Sequence, residues 1–76
     1  MEVHQEVDAR GLHCPLPILR AKKALAEMQS GQILKVLATD PGAQSDFAAF
    51  AKQTKNALIE ASTDDGKTCI FLIRRR

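Results

Sequence analysis

Hydrophobic and polar side chains alternate from Val3 to Ala9, with Val3 and Val7 on one side and His4, Glu6 and Asp8 on the other. That period of two predicts a strand with one wet face or an edge position. Arg10-Gly11-Leu12-His13 reads as a connector, since Gly11 takes a positive φ at little cost. From Pro15 to about Ser30 the period becomes helical. Ile18, Ala21, Leu25 and Met28 form one stripe, while Arg20, Lys22, Lys23 and Glu27 face away. Gly31 supplies a stop for this helix.

Ile33 to Thr39 is a mostly apolar run, suited to a strand buried on both faces or nearly so. Asp40-Pro41-Gly42 interrupts it. Asp40 is the expected cap of a second helix, with Pro41 just inside it, although Gly42 can delay the start by a residue or two. Phe47, Phe50, Ala51 and Thr54 share one helical face, and the helix should end at Lys55-Asn56, with Asn56 in the left-handed conformation. Ala57 to Thr63 and Lys67 to Arg74 then flank Asp64-Asp65-Gly66, a hairpin signal. The order is βαβαββ. The right-handed crossover rule puts both helices on one face of a four-stranded sheet, giving a two-layer α/β sandwich of the α+β class with its other face open.

Length limits what such a fold can do. A chain of 76 residues is expected to form one domain, residues 1–76, that buries on the order of 7,500 Å² on folding. That supports one thin core and no cofactor-enclosing cavity. Eleven basic and nine acidic side chains give a net charge of +2. Arg74-Arg75-Arg76 contributes three of those positive charges, so the remainder is close to neutral and the tail is expected to be solvated. With three Phe and neither Trp nor Tyr, stacking platforms for single-stranded nucleic acid are mostly missing, and no direct nucleic-acid binding is expected. The N-terminal residues have neither a basic nor an apolar region of the signal-peptide kind. The longest apolar runs are about five residues against the roughly 20 of a membrane span. A cytoplasmic protein with no membrane partner is the expectation. Cys14 and Cys69 are too few for a disulfide framework, and with His4 and His13 they form no metal-binding spacing. Neither a metal nor a cofactor is expected.

The segment with chemistry in it is Cys14-Pro15-Leu16-Pro17. Proline is favoured at the first helical position, which would put Pro15 there, Pro17 inside the first turn and Cys14 at the N-cap. Ser, Thr, Asp or Asn would cap better than Cys, so the thiol calls for a reason other than capping. At its ordinary pKa of about 8.5, a cysteine is only about 3% thiolate at pH 7. A two-unit depression would raise this to about 76% and needs roughly 2.7 kcal/mol, of which a helix terminus supplies about 0.3 to 2. A moderately activated thiol follows, with protonated His13, Arg10 or nearby lysines supplying the rest. Cys69, sharing a strand face with Phe71 and Ile73, reads as core.

Asp8-Ala9-Arg10-Gly11-Leu12-His13-Cys14-Pro15-Leu16-Pro17 resembles the signature of the TusA/SirA family of sulfur carriers. The likeness runs the length of the chain, through Asp40-Pro41 and Asp46-Phe47 to Leu58-Ile59-Glu60. It implies a βαβαββ sandwich similar to the C-terminal domain of translation initiation factor three. It also implies that Cys14 accepts persulfide sulfur from a cysteine desulfurase or similar donor and passes it to an acceptor protein. The covalent persulfide is then the only intermediate, and the protein is a sulfurtransferase in the sense of a relay. Asp8, Arg10, Gly11, Pro15 and Pro17 are the expected supports of the motif, and His13, Arg20 and Asp40 the candidate partner-docking residues. Acceptors in this family serve tRNA thiolation, molybdenum-cofactor supply, or selenium and sulfur metabolism. The rival readings are a regulatory protein-interaction module and an RNA-binding domain, neither using sulfur chemistry.

Overall fold

A computed structural model describes residues 2–76 of the protein. Its elements are β1 (Gln5–Ala9), α1 (Leu16–Ala26), β2 (Ile33–Ala38), α2 (Ala43–Thr54), β3 (Ala57–Asp64) and β4 (Thr68–Arg74). The sheet order is β1-β2-β4-β3, with β1 parallel to β2 and β4 antiparallel to both of its neighbours. This is the expected α+β architecture with a mixed sheet. The last hairpin inserts β4 between the two strands that enclose α2, leaving β1 and β3 as the edges.

Strand alternation fixes which face meets the helices. Leu34, Val36 and Ala38 of β2 pair with Ile73, Phe71 and Cys69 of β4. Leu34, Val36, Ala38, Phe71 and Ile73 are fully buried. From the helices, Ala21, Ala24 and Leu25 of α1 and Ala43, Phe47 and Phe50 of α2 close over them. Phe47 stacks on Phe71 with ring centroids 4.6 Å apart and meets Phe50 edge-on at 6.1 Å. Such aromatic pairs add about 0.5–1.5 kcal/mol each to the burial itself. On the opposite face, Lys35 and Leu37 of β2 lie half-buried beside Ile70 and Leu72 of β4. The second strand is therefore nearly buried on both faces as expected, fully toward the helices and partly on the other side, where Ile33 is buried and Lys35 and Leu37 are half-buried.

Several boundaries differ from the sequence pattern for local reasons. β1 begins at Gln5 rather than Val3, because the His4 ring takes over the next rung: His4 Nδ1 accepts the Ile33 N–H at 3.0 Å. The first helix ends at Ala26, four residues short of Ser30. Its last turn tightens, with Glu27 and Met28 donating to the Ala24 and Leu25 carbonyls, and Arg75 Nε reaches Leu25 O at 2.7 Å. That contact also corrects the picture of a solvated Arg74-Arg75-Arg76 tail. Arg75 is half-buried, and the Arg76 N–H donates to Asn56 Oδ1 at 2.8 Å. With its amide also bonded to Thr54 Oγ1, Asn56 is engaged on both sides. Lys55, at φ 63°, takes the left-handed position expected of Asn56. In the hairpin, Asp65 and Gly66 have φ of 53° and 78°. Asp65 Oδ1 accepts the Lys67 and Thr68 N–H groups, which closes this turn as expected of an Asp-Gly pair.

The role of Arg75 has a measurable consequence. Arg75→Met should lower stability by about 1–2 kcal/mol through loss of a charged hydrogen bond to a helix-terminal carbonyl. Arg74→Met, on an exposed side chain, should stay within about 0.5 kcal/mol. Urea unfolding of the two variants separates a cap from a solvated tail, and equal midpoints would refute the cap.

Candidate functional site

Cys14 lies in the loop between β1 and α1, and three contacts hold that loop. The Arg10 guanidinium grips Asp8 with both arms, Nε to Oδ1 at 2.9 Å and a terminal nitrogen to Oδ2 at 2.8 Å. Bidentate contact of this kind fixes orientation as well as distance. It holds the exposed Asp8 carboxyl down at about 2, the side-chain hydrogen bond from Arg10 being the main cause. Next, Gly11 adopts φ 80° and turns its N–H onto Thr39 Oγ1 at 2.9 Å, tying the loop to the end of β2. Glycine is needed at this point because a side chain is rarely tolerated at that φ. Finally, Leu12 N–H donates to Ala9 O at 3.2 Å.

The helix start departs from expectation by one residue. Pro15, not Cys14, is the N-cap, with φ −99° and ψ 16° and no side-chain cap bond, and its carbonyl accepts the Leu19 N–H at 3.0 Å. His13 O takes the Leu16 N–H at 2.8 Å, satisfying one of the free donors of the first turn. Pro17 stands in that turn, where its missing N–H is no loss, and it is buried, so it also anchors α1 to the core. The Cys14–Pro15 peptide bond is cis.

Cys14 therefore stands outside the helix, exposed to solvent and not acting as its cap. Its surroundings overturn the expected depression of its pKa. The thiol is pushed up from the ordinary value, first by the Asp46 carboxyl as an acceptor for its proton, then by partial loss of water, then by the charges of Asp46 and Asp40. A carboxylate acceptor favours the protonated sulfur, and a nearby negative charge disfavours the thiolate. The cations invoked to activate it are placed otherwise: Arg10 is committed to Asp8, and His13 is turned to Asp40.

Of the docking candidates, two come together and one does not. His13 Nδ1 lies 3.9 Å from Asp40 Oδ1, with the His13 side chain 88% exposed and that of Asp40 only 13%. Arg20 sits instead in a groove between α1 and β1, with Leu16, Leu19, Lys23 and Glu6. Asp40 was expected to cap the second helix. It does so one step removed: its Oδ2 accepts the Gly42 N–H at 3.2 Å, and Gly42 is the N-cap. Asp46 and Thr39 carry much of the site, yet periodicity offered no sign of them. Asp46 in the first turn of a helix reads as a dipole partner, and only the tertiary packing of α2 against the loop turns it toward sulfur. Cys69 is half-buried against the core and borders a shallow depression with Thr39, Asp40 and Lys67.

Comparison with known proteins identifies the family of the chain. Residues 5–75 match the model of the family described as sulfurtransferase TusA. The chain is 62% identical over 71 residues to the sulfur carrier protein TusA of Allochromatium vinosum, covering 93% of this chain and 92% of the relative. It is 47% identical over 75 residues to the putative sulfur carrier protein YrkI of Bacillus subtilis, covering 99% of each. Among solved structures, the SirA-like protein of Desulfitobacterium hafniense superposes with a TM-score of 0.84 at 29% identity, over 93% of this chain and 96% of that one. This small open-faced sandwich with a thiol at the entry to its first helix belongs to the TusA sulfurtransferase family. Its relatives carry the name of sulfur carriers.

The Asp8–Arg10 clamp gives stability a definite pH dependence. Because the folded carboxyl sits at about 2 against an ordinary 3.8, the contribution is complete above about pH 4 and is lost as pH falls toward 2. Urea unfolding at pH 5 and again near pH 2.5 should show the parent losing more stability on acidification than Asp8→Asn. An equal loss in both would mean that the clamp does not favour the fold.

Proposed function

We propose that this protein is a sulfur carrier in which Cys14 bears the cargo as a persulfide. The observation that carries the reading is the unequal placement of the two thiols: Cys14 is exposed in a loop clamped on both sides, whereas Cys69 packs half-buried on the sheet. In loading, Cys14 sulfur attacks the outer sulfur of a donor persulfide, such as that of a cysteine desulfurase. The new S–S bond forms as the donor's breaks, and the Cys14 proton ends on the departing donor sulfur. In unloading, an acceptor thiol attacks the outer sulfur of Cys14–S–SH by the same exchange. The chain acts as one domain, with no metal or cofactor beyond the persulfide. Each half of the relay takes place with a docked protein, in the cytoplasm, and the acceptor decides whether sulfur goes to tRNA thiolation, molybdenum cofactor or other sulfur metabolism. The open sheet face gives the RNA-binding alternative no basic platform, since strand register mixes Glu6, Asp8 and Glu60 with Lys35 and Arg74 on it.

Incubation with a cysteine desulfurase and cysteine, followed by intact-mass measurement, tests the assignment. The parent and Cys69→Ala should gain about 32 Da, one sulfur atom, and Cys14→Ala should gain nothing. Equal loading of both single variants would overturn it.

A further inference from the structure

The two carboxylates that bear on Cys14 also meet over a single residue. A Cβ placed on Gly42 would meet Asp40 Oδ2 at 3.3 Å and Asp46 Oδ2 at 3.6 Å, so both side chains lean over the one residue of that turn that lacks a side chain. Gly42 has φ −85°, which any residue adopts, so glycine here provides space and not conformational freedom. Asp46 of α2 and Asp40 of the loop after β2 both bear on the sulfur, and Asp40 lies 3.9 Å from His13 Nδ1 in the cysteine's own loop. Lys67, from the hairpin, borders the depression beside Asp40. Among the described residues no Lys or Arg lies within ion-pair distance of Asp40 or Asp46, while the arginine nearest in sequence, Arg10, is spent on Asp8. An exposed sulfur thus stands beside two carboxylates that, among the described residues, no lysine or arginine pairs, with the His13 ring 3.9 Å from Asp40.

Resting on the reading of Cys14 as the carrier thiol, we infer that Asp46 and Asp40 form an anionic gate that favours partners presenting a cationic side chain and retards anionic small thiols. Both consequences follow from Coulomb's law at short range, screened by salt because the sulfur is exposed. A docked protein with an Arg or Lys opposite the pair neutralises it, which frees the sulfur to ionise at the moment of transfer. A diffusing tripeptide thiol such as glutathione, which is a net anion at neutral pH, would discharge the cargo by the same exchange that loads it: its thiolate attacks the outer sulfur and Cys14 leaves. Repelling that approach keeps sulfur on the carrier between partners. The two aspartates act through Cys14, as positioning residues.

Methanethiosulfonate reagents of similar size but opposite charge read the gate directly on the Cys69→Ala protein. The cationic ethyltrimethylammonium reagent should outpace the anionic ethylsulfonate by about tenfold or more beyond the ratio seen with a free small thiol. Asp46→Asn should lower that excess to about threefold, Asp40→Asn/Asp46→Asn should abolish it, and Asp46→Glu should retain most of it. With neutral iodoacetamide, Asp46→Asn should react several times faster than its parent at pH 7.5, its pH profile displaced to lower pH. Should a variant fail to fold, salt answers in the unaltered site, since raising ionic strength to about 1 M should collapse the excess. A parent ratio equal to that of the free thiol, or an excess unchanged in a folded double variant, overturns the gate. Failure of Cys14 to take sulfur from a desulfurase would overturn the carrier reading instead, and the charge selectivity would remain to be read independently.

Discussion

The stack of Phe47 on Phe71, 4.6 Å between centroids in a fully buried setting, is the contact on which the site depends. It pins the middle of α2 to the central strand pair and fixes the rotation of that helix. One residue earlier, about 100° around the helix, Asp46 is thereby aimed away from the core toward the loop that carries Cys14. On the other helix, buried Pro17 and Ala21 do the corresponding work for α1. The thiol and its carboxylate come from segments 32 positions apart in sequence, and what joins them is the packing of two helices on one sheet face. A loosened Phe47 would disturb the sulfur site without touching it.

Most of the fold could be read from periodicity, because each element buries one face and shows the other. The stripe Ile18, Ala21, Leu25, the run Ile33 to Ala38 and the Asp-Gly hairpin all report burial, and burial is what sequence patterns encode. The misread points are places where a side chain substitutes for backbone. His4 fills a ladder rung, Arg75 takes a helix-end carbonyl, and Asn56 is occupied by Thr54 and Arg76, leaving Lys55 the left-handed turn. Each is a contact across 20 or more positions or a competition between neighbours, and composition carries no trace of either.

The site was legible in a different way. Cys-Pro-x-Pro announces a thiol at a helix entry, and Asp8, Arg10 and Gly11 do hold its loop, by contacts to one another and to Thr39. What local reasoning got backwards was the charge around the sulfur. Counting neighbours along the chain gives Arg10 and His13, both basic. Counting neighbours in space gives Asp46 and Asp40, both acidic. The sign changes because Arg10 is spent on Asp8, while α2 and the loop after β2 bring in carboxylates from distant parts of the chain.

A protonated thiol suits a carrier better than an activated one would. An enzyme whose cysteine attacks a bound substrate gains from a standing thiolate, since encounter and reaction happen in one place. A carrier spends its loaded and unloaded intervals among competing thiols and disulfides, so a sulfur that is reactive everywhere loses its cargo everywhere. Restraint in the free state and release in the complex require a charge that the carrier lacks and the partner brings. Asp46 and Asp40 leave that charge missing, and Gly42 leaves room for both carboxylates over the turn. Selectivity of this kind needs no deep pocket. Two carboxylates' worth of negative potential beside an exposed sulfur is within reach of a 76-residue fold with a single thin core, where an enclosing cavity is not.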